Sequence, residues 1–289
     1  MKYLSFTTCL WAFSFSLIGV YLSGQVDAWF SVVSRIAIAS LVFLPFLRLK
    51  GLPLLLILKL MAIGAFQLGI MYCFYYQSFL YLSVPEVLLF TVFTPIYVTL
   101  IYDLYHKRFS LLYLGTASLA VIGAIIIQFV LVNPHFLKGF LIIQGANVCF
   151  AIGQVSYKVL IERESLALKQ HQVFAWFYLG ALCITLPAFC LLGDSSKLPT
   201  THIQWAIIIY LGAIASGLGY FLWNKGATLV SSGTLAVMNN VLIPAGILVN
   251  VLFWNKDADL VTLCIGAIVI ITSVGLTEKV AKSQKLFHS

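Results

Sequence analysis

Apolar runs of about 20 residues recur along this chain, the length a helix rising 1.5 Å per residue needs to cross a hydrocarbon layer. Ten can be delimited, at approximately 3–22, 29–47, 56–78, 84–104, 110–131, 139–159, 172–192, 204–224, 232–254 and 259–277. They are continuously apolar rather than alternating, and each is about twice as long as a membrane-barrel strand requires, which leaves helices as the spanning element. Composition agrees, with 62% apolar and 9% charged residues against about 45–50% and about 25% in a soluble domain. A chain so poor in polar side chains cannot cover a water-facing surface, and lipid must solvate what remains. Lys2 ahead of the first run also fits a signal peptide, but that run resembles the sixth and is read as a span.

The net charge is +8, yet the cations sit in short connections between apolar runs, a pattern of topology and not of a nucleic-acid face. With both termini on the cytoplasmic side, Lys2, Arg48, Lys50, Lys59, Lys107, Arg108, Lys158, Arg163, Lys169, Lys225, Lys279, Lys282 and Lys285 collect there, and only Lys138, Lys197 and Lys256 fall outside. Cys9, Cys73, Cys149, Cys183, Cys190 and Cys264 all lie in apolar runs without CxxC spacing, and the histidines fall in connections or the tail, so neither a metal site nor a cofactor is expected. No GxxxxGK[ST] loop is present, which points to gradients as the driving force.

The chain also repeats itself. Gly69, Tyr72 and Ser83 align with Gly217, Tyr220 and Ser231 at one constant offset; after a one-residue slip Pro95 aligns with Pro244 and Lys107 with Lys256. Earlier in each half, Leu44 and Pro45 match Leu186 and Pro187. Each unit holds five spans, an odd number, so the second enters the membrane from the opposite side. The expected fold is therefore an all-α integral membrane protein of ten transmembrane helices arranged as two inverted five-helix repeats, 1–131 and 139–279, followed by a basic cytoplasmic tail, 280–289.

Leu10-Trp11-Ala12 in the first span, Ser34-Arg35-Ile36 in the second, the stretch from Gly219 to Ala227, Pro244 and the Gly266-Ala267 pair together resemble the EamA-type transporters of the drug/metabolite transporter superfamily. The resemblance covers nearly the whole chain. A glutamate that often follows the fourth and ninth helices in that family is absent, with Asp103 and Asp257 only nearby. The resemblance implies carriage of amino acids, amines or other small metabolites without nucleotide hydrolysis, in a bacterial inner membrane, by a monomer or homodimer.

Candidate site residues follow from the cost of polarity in lipid. An ionisable group at mid-membrane costs about 2.5–3.5 kcal/mol on insertion scales and should face a cavity or a partner. Arg35 and Glu86 both belong to the outer half and are candidates for coupling or gating, paired or separate; snorkelling of Arg35 and a helix-start role for Glu86 are the plainer readings. Gln144, Asn147, Gln154 and Lys158 share one stripe of the sixth helix, which lines either a cavity or an interhelical contact. Tyr72 and Tyr220 occupy equivalent deep positions, whereas Tyr75, Tyr76 and Trp223 also suit an interfacial belt. Pro95 and Pro244 free the carbonyls of Thr91 and Asn240, making hinges or simple bends beside Asn239 and Asn240. Ala213 and Gly217 suit close helix packing.

The expected substrate set is thus Trp11, Tyr72, Asn147, Gln154, Tyr220, Asn239 and Asn240, with Arg35, Glu86, Pro95 and Pro244 in coupling or gating. The expected activity is a secondary transporter, an exporter of amino acids or amines working by alternating access, and not an enzyme, since Glu86 alone makes no catalytic constellation. The alternative from another class is a lipid-flipping or accessory subunit of a membrane enzyme. A channel fits less well, because kinked helices at a repeat interface suit occlusion better than an open pore.

Overall fold

A computed structural model describes residues 1–127, 134–164, 169–254 and 260–286. Lys256, Asp257 and the repeat boundary at 131 lie outside the described residues. Among the described residues ten apolar helices follow in order: α1 (Lys2–Leu22), α2 (Ala28–Phe46), α3 (Leu54–Ser78), α4 (Val84–Tyr105), α5 (Leu111–Ile127), α6 (Pro134–Glu164), α7 (Gln170–Leu192), α8 (His202–Ala227), α9 (Ser232–Trp254) and α10 (Leu260–Leu286). No strand occurs among the described residues. The last helix continues to Leu286, so the segment expected as a tail from 280 starts as a helical extension.

The packing of the halves is reciprocal. α1 packs on α9 as α6 packs on α4, α2 on α8 as α7 on α3, and α1 on α8 as α6 on α3, while α2–α7, α4–α9 and α5–α10 are self-related pairs. The same reciprocity reaches single residues. A Cβ on Gly69 would lie 3.2 Å from the Ala181 carbonyl of α7, and one on its repeat mate Gly217 would lie 3.7 Å from the Cα of Ala39 in α2. A Cβ on Gly64 would run into the Phe177 backbone, and one on its mate Gly212 would lie 3.1 Å from the Arg35 carbonyl. Such exchange of partners is the signature of a pseudo-two-fold axis, which with five crossings per half makes the repeats inverted.

Small residues carry these contacts because lipid supplies no hydrophobic drive between helices; close backbone approach and dispersion must do so instead. At Gly64 and Gly180 the opposing backbone of Phe177 or Met61 fills the space a Cβ would take, which locks α3 onto α7.

Neither half is regular. α3 passes through a π-helical segment at Ala65–Ile70, and α8 does so at the equivalent Tyr210–Leu218. α4 is broken near its middle, α-helical over Val84–Phe90, 3-10 over Thr91–Phe93, then α-helical again over Thr94–Tyr105 with Pro95 in its first turn. α9 keeps Pro244 inside a continuous helix, so the two matched prolines have unlike surroundings.

Gly64→Val should drive a side chain into the Phe177 backbone at an overpacking cost of about 1–3 kcal/mol or more. The expected outcome is a several-fold loss of monodisperse protein in fluorescence-detected size-exclusion chromatography. Gly115→Ala, where the added Cβ would meet no other part of the protein within 4 Å, should leave the profile unchanged.

Candidate functional site

Between the halves lies a cavity of about 90 Å³, room for several waters, so a metabolite requires the helices around it to part. Its wall brings together Trp11, Arg35, Tyr72, Asn147, Tyr220 and Asn239 from the residues expected on sequence grounds. It adds Ser14, Phe15, Met71, Tyr75, Phe150 and Leu242.

Arg35 is the charge at the centre of this wall, only 2% exposed. Its Nε donates to Ser216 Oγ at 2.5 Å and its Nη1 to Tyr76 Oη at 3.2 Å. The guanidinium carbon lies 4.2 Å from the centre of the Tyr72 ring, a cation–π geometry, and Tyr72 Oη is 3.0 Å from Ser216 Oγ. Among the described residues no carboxylate pairs with Arg35. Glu86 does not approach it. The Glu86 carboxylate instead accepts from the Ser83 backbone N–H at 2.7 Å and the Ser83 hydroxyl at 2.8 Å, closing a capping box at the start of α4.

The π-helical segment of α8 explains several aromatic positions. A π turn shifts the ladder and leaves carbonyls without their usual intrahelical donor. Trp11 Nε1 donates to the Ala215 carbonyl at 2.8 Å, and Tyr178 Oη donates to those of Ser216 at 2.9 Å and Gly217 at 2.7 Å. Trp11 then stacks obliquely between Tyr220, 4.9 Å away, and Trp223, 5.0 Å away. Tyr75, Tyr76 and Trp223 are all buried, so these rings face the interior and are not an interfacial belt.

The break in α4 is filled in the same way. Gln144 Nε2 and Asn147 Nδ2 donate to the Phe90 carbonyl at 2.9 and 2.8 Å, and Asn240 Nδ2 donates to that of Val92 at 3.1 Å. The Thr91 carbonyl, which Pro95 cannot serve, accepts from Thr94 Oγ1 at 2.7 Å. Asn147 therefore both lines the cavity and holds the break, whereas Asn240 holds the break from outside the cavity wall.

Gln154 also stands outside the wall, behind it: Oε1 accepts from Trp223 Nε1 at 2.9 Å, and Nε2 donates to Asn239 Oδ1 at 3.4 Å. Lys158, at the end of the same stripe, is 3% exposed and donates to the carbonyls of Ala227 and Val230 in the α8–α9 turn, with Glu162 2.9 Å away. One turn before Met71, Gln67 is fully buried against Gly153, and neither of its amide atoms finds a partner among the described residues.

Sequence reasoning missed Ser216 and Tyr178, which position Arg35 and the α8 backbone. The dense run of small residues from Gly212 to Gly219 was the available signal, since it marks where a neighbouring side chain can reach the backbone.

No cluster of His, Cys, Asp or Glu able to hold a metal occurs among the described residues. The family profile of the EamA-like transporters matches residues 137–278. The biotin transporter of Escherichia coli is 50% identical over 280 residues, 96% of this chain and 93% of that protein. That of Salmonella typhimurium matches to the same extent. The probable biotin transporter of Pseudomonas aeruginosa is 50% identical over 274 residues, 95% of this chain and 96% of its own. A protein of solved crystal structure shares the fold, with a TM-score of 0.75 and 15% identity over 96% of each chain. With its ten helices, its reciprocal halves and relatives matched almost end to end, the chain belongs to the EamA-like transporter family of the drug/metabolite transporter superfamily, and it is a multi-pass membrane transporter.

Proposed function

We propose that this transporter is a gradient-driven carrier of biotin, which replaces the amino acids and amines expected from the sequence. The observation that carries the reading is Arg35, a buried guanidinium facing the cavity with no acidic partner among the described residues. A buried charge is costly until a counter-ion and hydrogen bonds complete it. Biotin has one carboxylate on a flexible apolar arm and a compact bicyclic head bearing a ureido group. In this reading the carboxylate pairs with Arg35, held in place by Tyr72, Tyr76 and Ser216. The rings of Trp11, Phe150 and Tyr220 flank the apolar parts, and the amides of Asn147 and Asn239 meet the ureido group. The names of the relatives at 50% identity support the substrate.

Both termini lie on the cytoplasmic face of a bacterial inner membrane, as the distribution of Lys and Arg suggests. Residues 1–131 and 139–279 form the two repeats, and the movement that opens the cavity to one side or the other bends α4 at Thr91–Phe93 near Pro95 and α9 near Pro244. Asn240, Gln154 and Asn147 keep these elements hydrogen-bonded while they move. The carrier runs in whichever direction its gradients set, export included. Glu86 belongs to the architecture of α4 in this reading and not to coupling.

Arg35→Gln should cost about 2–5 kcal/mol of biotin binding, at least roughly 30-fold in Kd. Exchange of radiolabelled biotin in proteoliposomes checks this, with biotin methyl ester as competitor. The wild type should prefer the acid strongly and the variant should not, and an unchanged preference would remove Arg35 from the site.

Tyr72→Phe, which keeps the ring over Arg35 but loses the hydroxyl at Ser216, should weaken exchange several-fold, whereas Tyr72→Ala should abolish it at normal membrane levels. Glu86→Gln can retain the capping bonds, so exchange and its response to an imposed pH gradient should match the wild type. Loss of that response would return Glu86 to a coupling role.

A further inference from the structure

A second void lies on another face of α6, with a volume of about 370 Å³. On α6 the cavity-lining residues Asn147 and Phe150 and the groove-lining Gly153, Ser156 and Leu160 point to different sides of the helix. α3 and α6 touch at Gln67 and Gly153, between the two spaces. The groove runs between α3 and α6 and is exposed along Ala62 and Phe66, so it faces the lipid and not the transport path.

Its chemistry is divided along its length. Ile63, Phe66 and Ile152 wall the end toward mid-membrane, with Gly153 and Ala62 providing the depth. At the other end stand Lys59, Arg163 and Glu164. From Phe66 to Lys59 is two helical turns, about 10 Å. Lys59 Nζ meets Glu164 Oε1 at 2.6 Å and keeps further donors for another acceptor. The Arg163 guanidinium donates through one nitrogen to the Tyr105 carbonyl at 3.2 Å, and no carboxylate pairs with it among the described residues. Two cations facing one carboxylate leave a local positive excess. This end of the bundle also carries Arg48, Lys50, Lys107 and Arg108.

We infer that an anionic phospholipid of the adjacent leaflet occupies this groove, its phosphate on Lys59 and Arg163 and one acyl chain along Ile63, Phe66 and Ile152. The apolar wall needs a hydrocarbon segment, the rim needs a negative headgroup, and the opening faces the bilayer, so an amphiphile supplied from the membrane satisfies all three. A zwitterionic lipid offers no net charge to the rim cations.

The test is native mass spectrometry of the full-length protein in detergent, with phosphatidylglycerol and phosphatidylcholine of identical chains supplied at equal concentration. The wild type should carry phosphatidylglycerol at least fivefold more often than phosphatidylcholine. That excess should disappear in the double variant Lys59→Gln, Arg163→Gln. It should disappear as well in Ala62→Trp, which fills the groove and leaves both charges in place. Equal retention of the two lipids by the wild type would overturn the inference, as would an undiminished excess in whichever variant runs as a monodisperse species.

Discussion

Lipid offers no hydrogen bonds, so every backbone group released from a helix inside the membrane must be met by the protein itself. This chain departs from regular helix at the ends of α1 and α2 and in the middle of α3, α4 and α8, and the departures in α4 and α8 draw polar side chains toward the centre. The carbonyls of Phe90, Thr91 and Val92 take Gln144, Asn147, Thr94 and Asn240, and those of Ala215, Ser216 and Gly217 take Trp11 and Tyr178. Much of the polar lining of the cavity is thus set by backbone demand, and the ligand meets what those groups leave free. Arg35 differs in kind: its donors go to the hydroxyls of Ser216 and Tyr76, and no carboxylate among the described residues matches its charge.

The architecture was legible because bilayer thickness and duplication both leave marks in one sequence. Continuous apolar runs fixed the number of helices, and the paired Gly69–Tyr72 and Gly217–Tyr220 positions fixed the relation between the halves. The packing then places those glycines on reciprocal partners, Ala181 and Ala39. The resemblance to EamA-type transporters pointed the same way, and the relatives agree with it.

The site was legible only in part, for a physical reason. A polar residue within a span announces that it faces protein or water, but not which of the two. Gln154, Asn147 and Asn240 were indistinguishable on that criterion, yet they hold an indole, line the cavity beside a helix break, and support that break from behind. Tyr75, Tyr76 and Trp223 misled in the other direction, since proximity to a helix end resembles an interfacial position until the tertiary packing encloses it. Glu86 had a local explanation, Ser83 three residues earlier, that needed no cavity. Ser216 and Tyr178 left almost no trace because their role depends on a π turn, which has no strong residue preference of its own.

The halves are duplicates in path but not in substance. Trp11 reaches the Ala215 backbone across the α1–α8 contact, while at the corresponding α6–α3 contact a bare Gly153 lies against the aliphatic stem of Gln67. An inverted pair made of identical units would present the same chamber to both compartments. An indole at one of these contacts and a bare glycine at the other leave the two halves unequal where they meet α8 and α3. In an alternating-access carrier built this way the two open states need not be mirror images, and the cargo's affinity is free to differ between them.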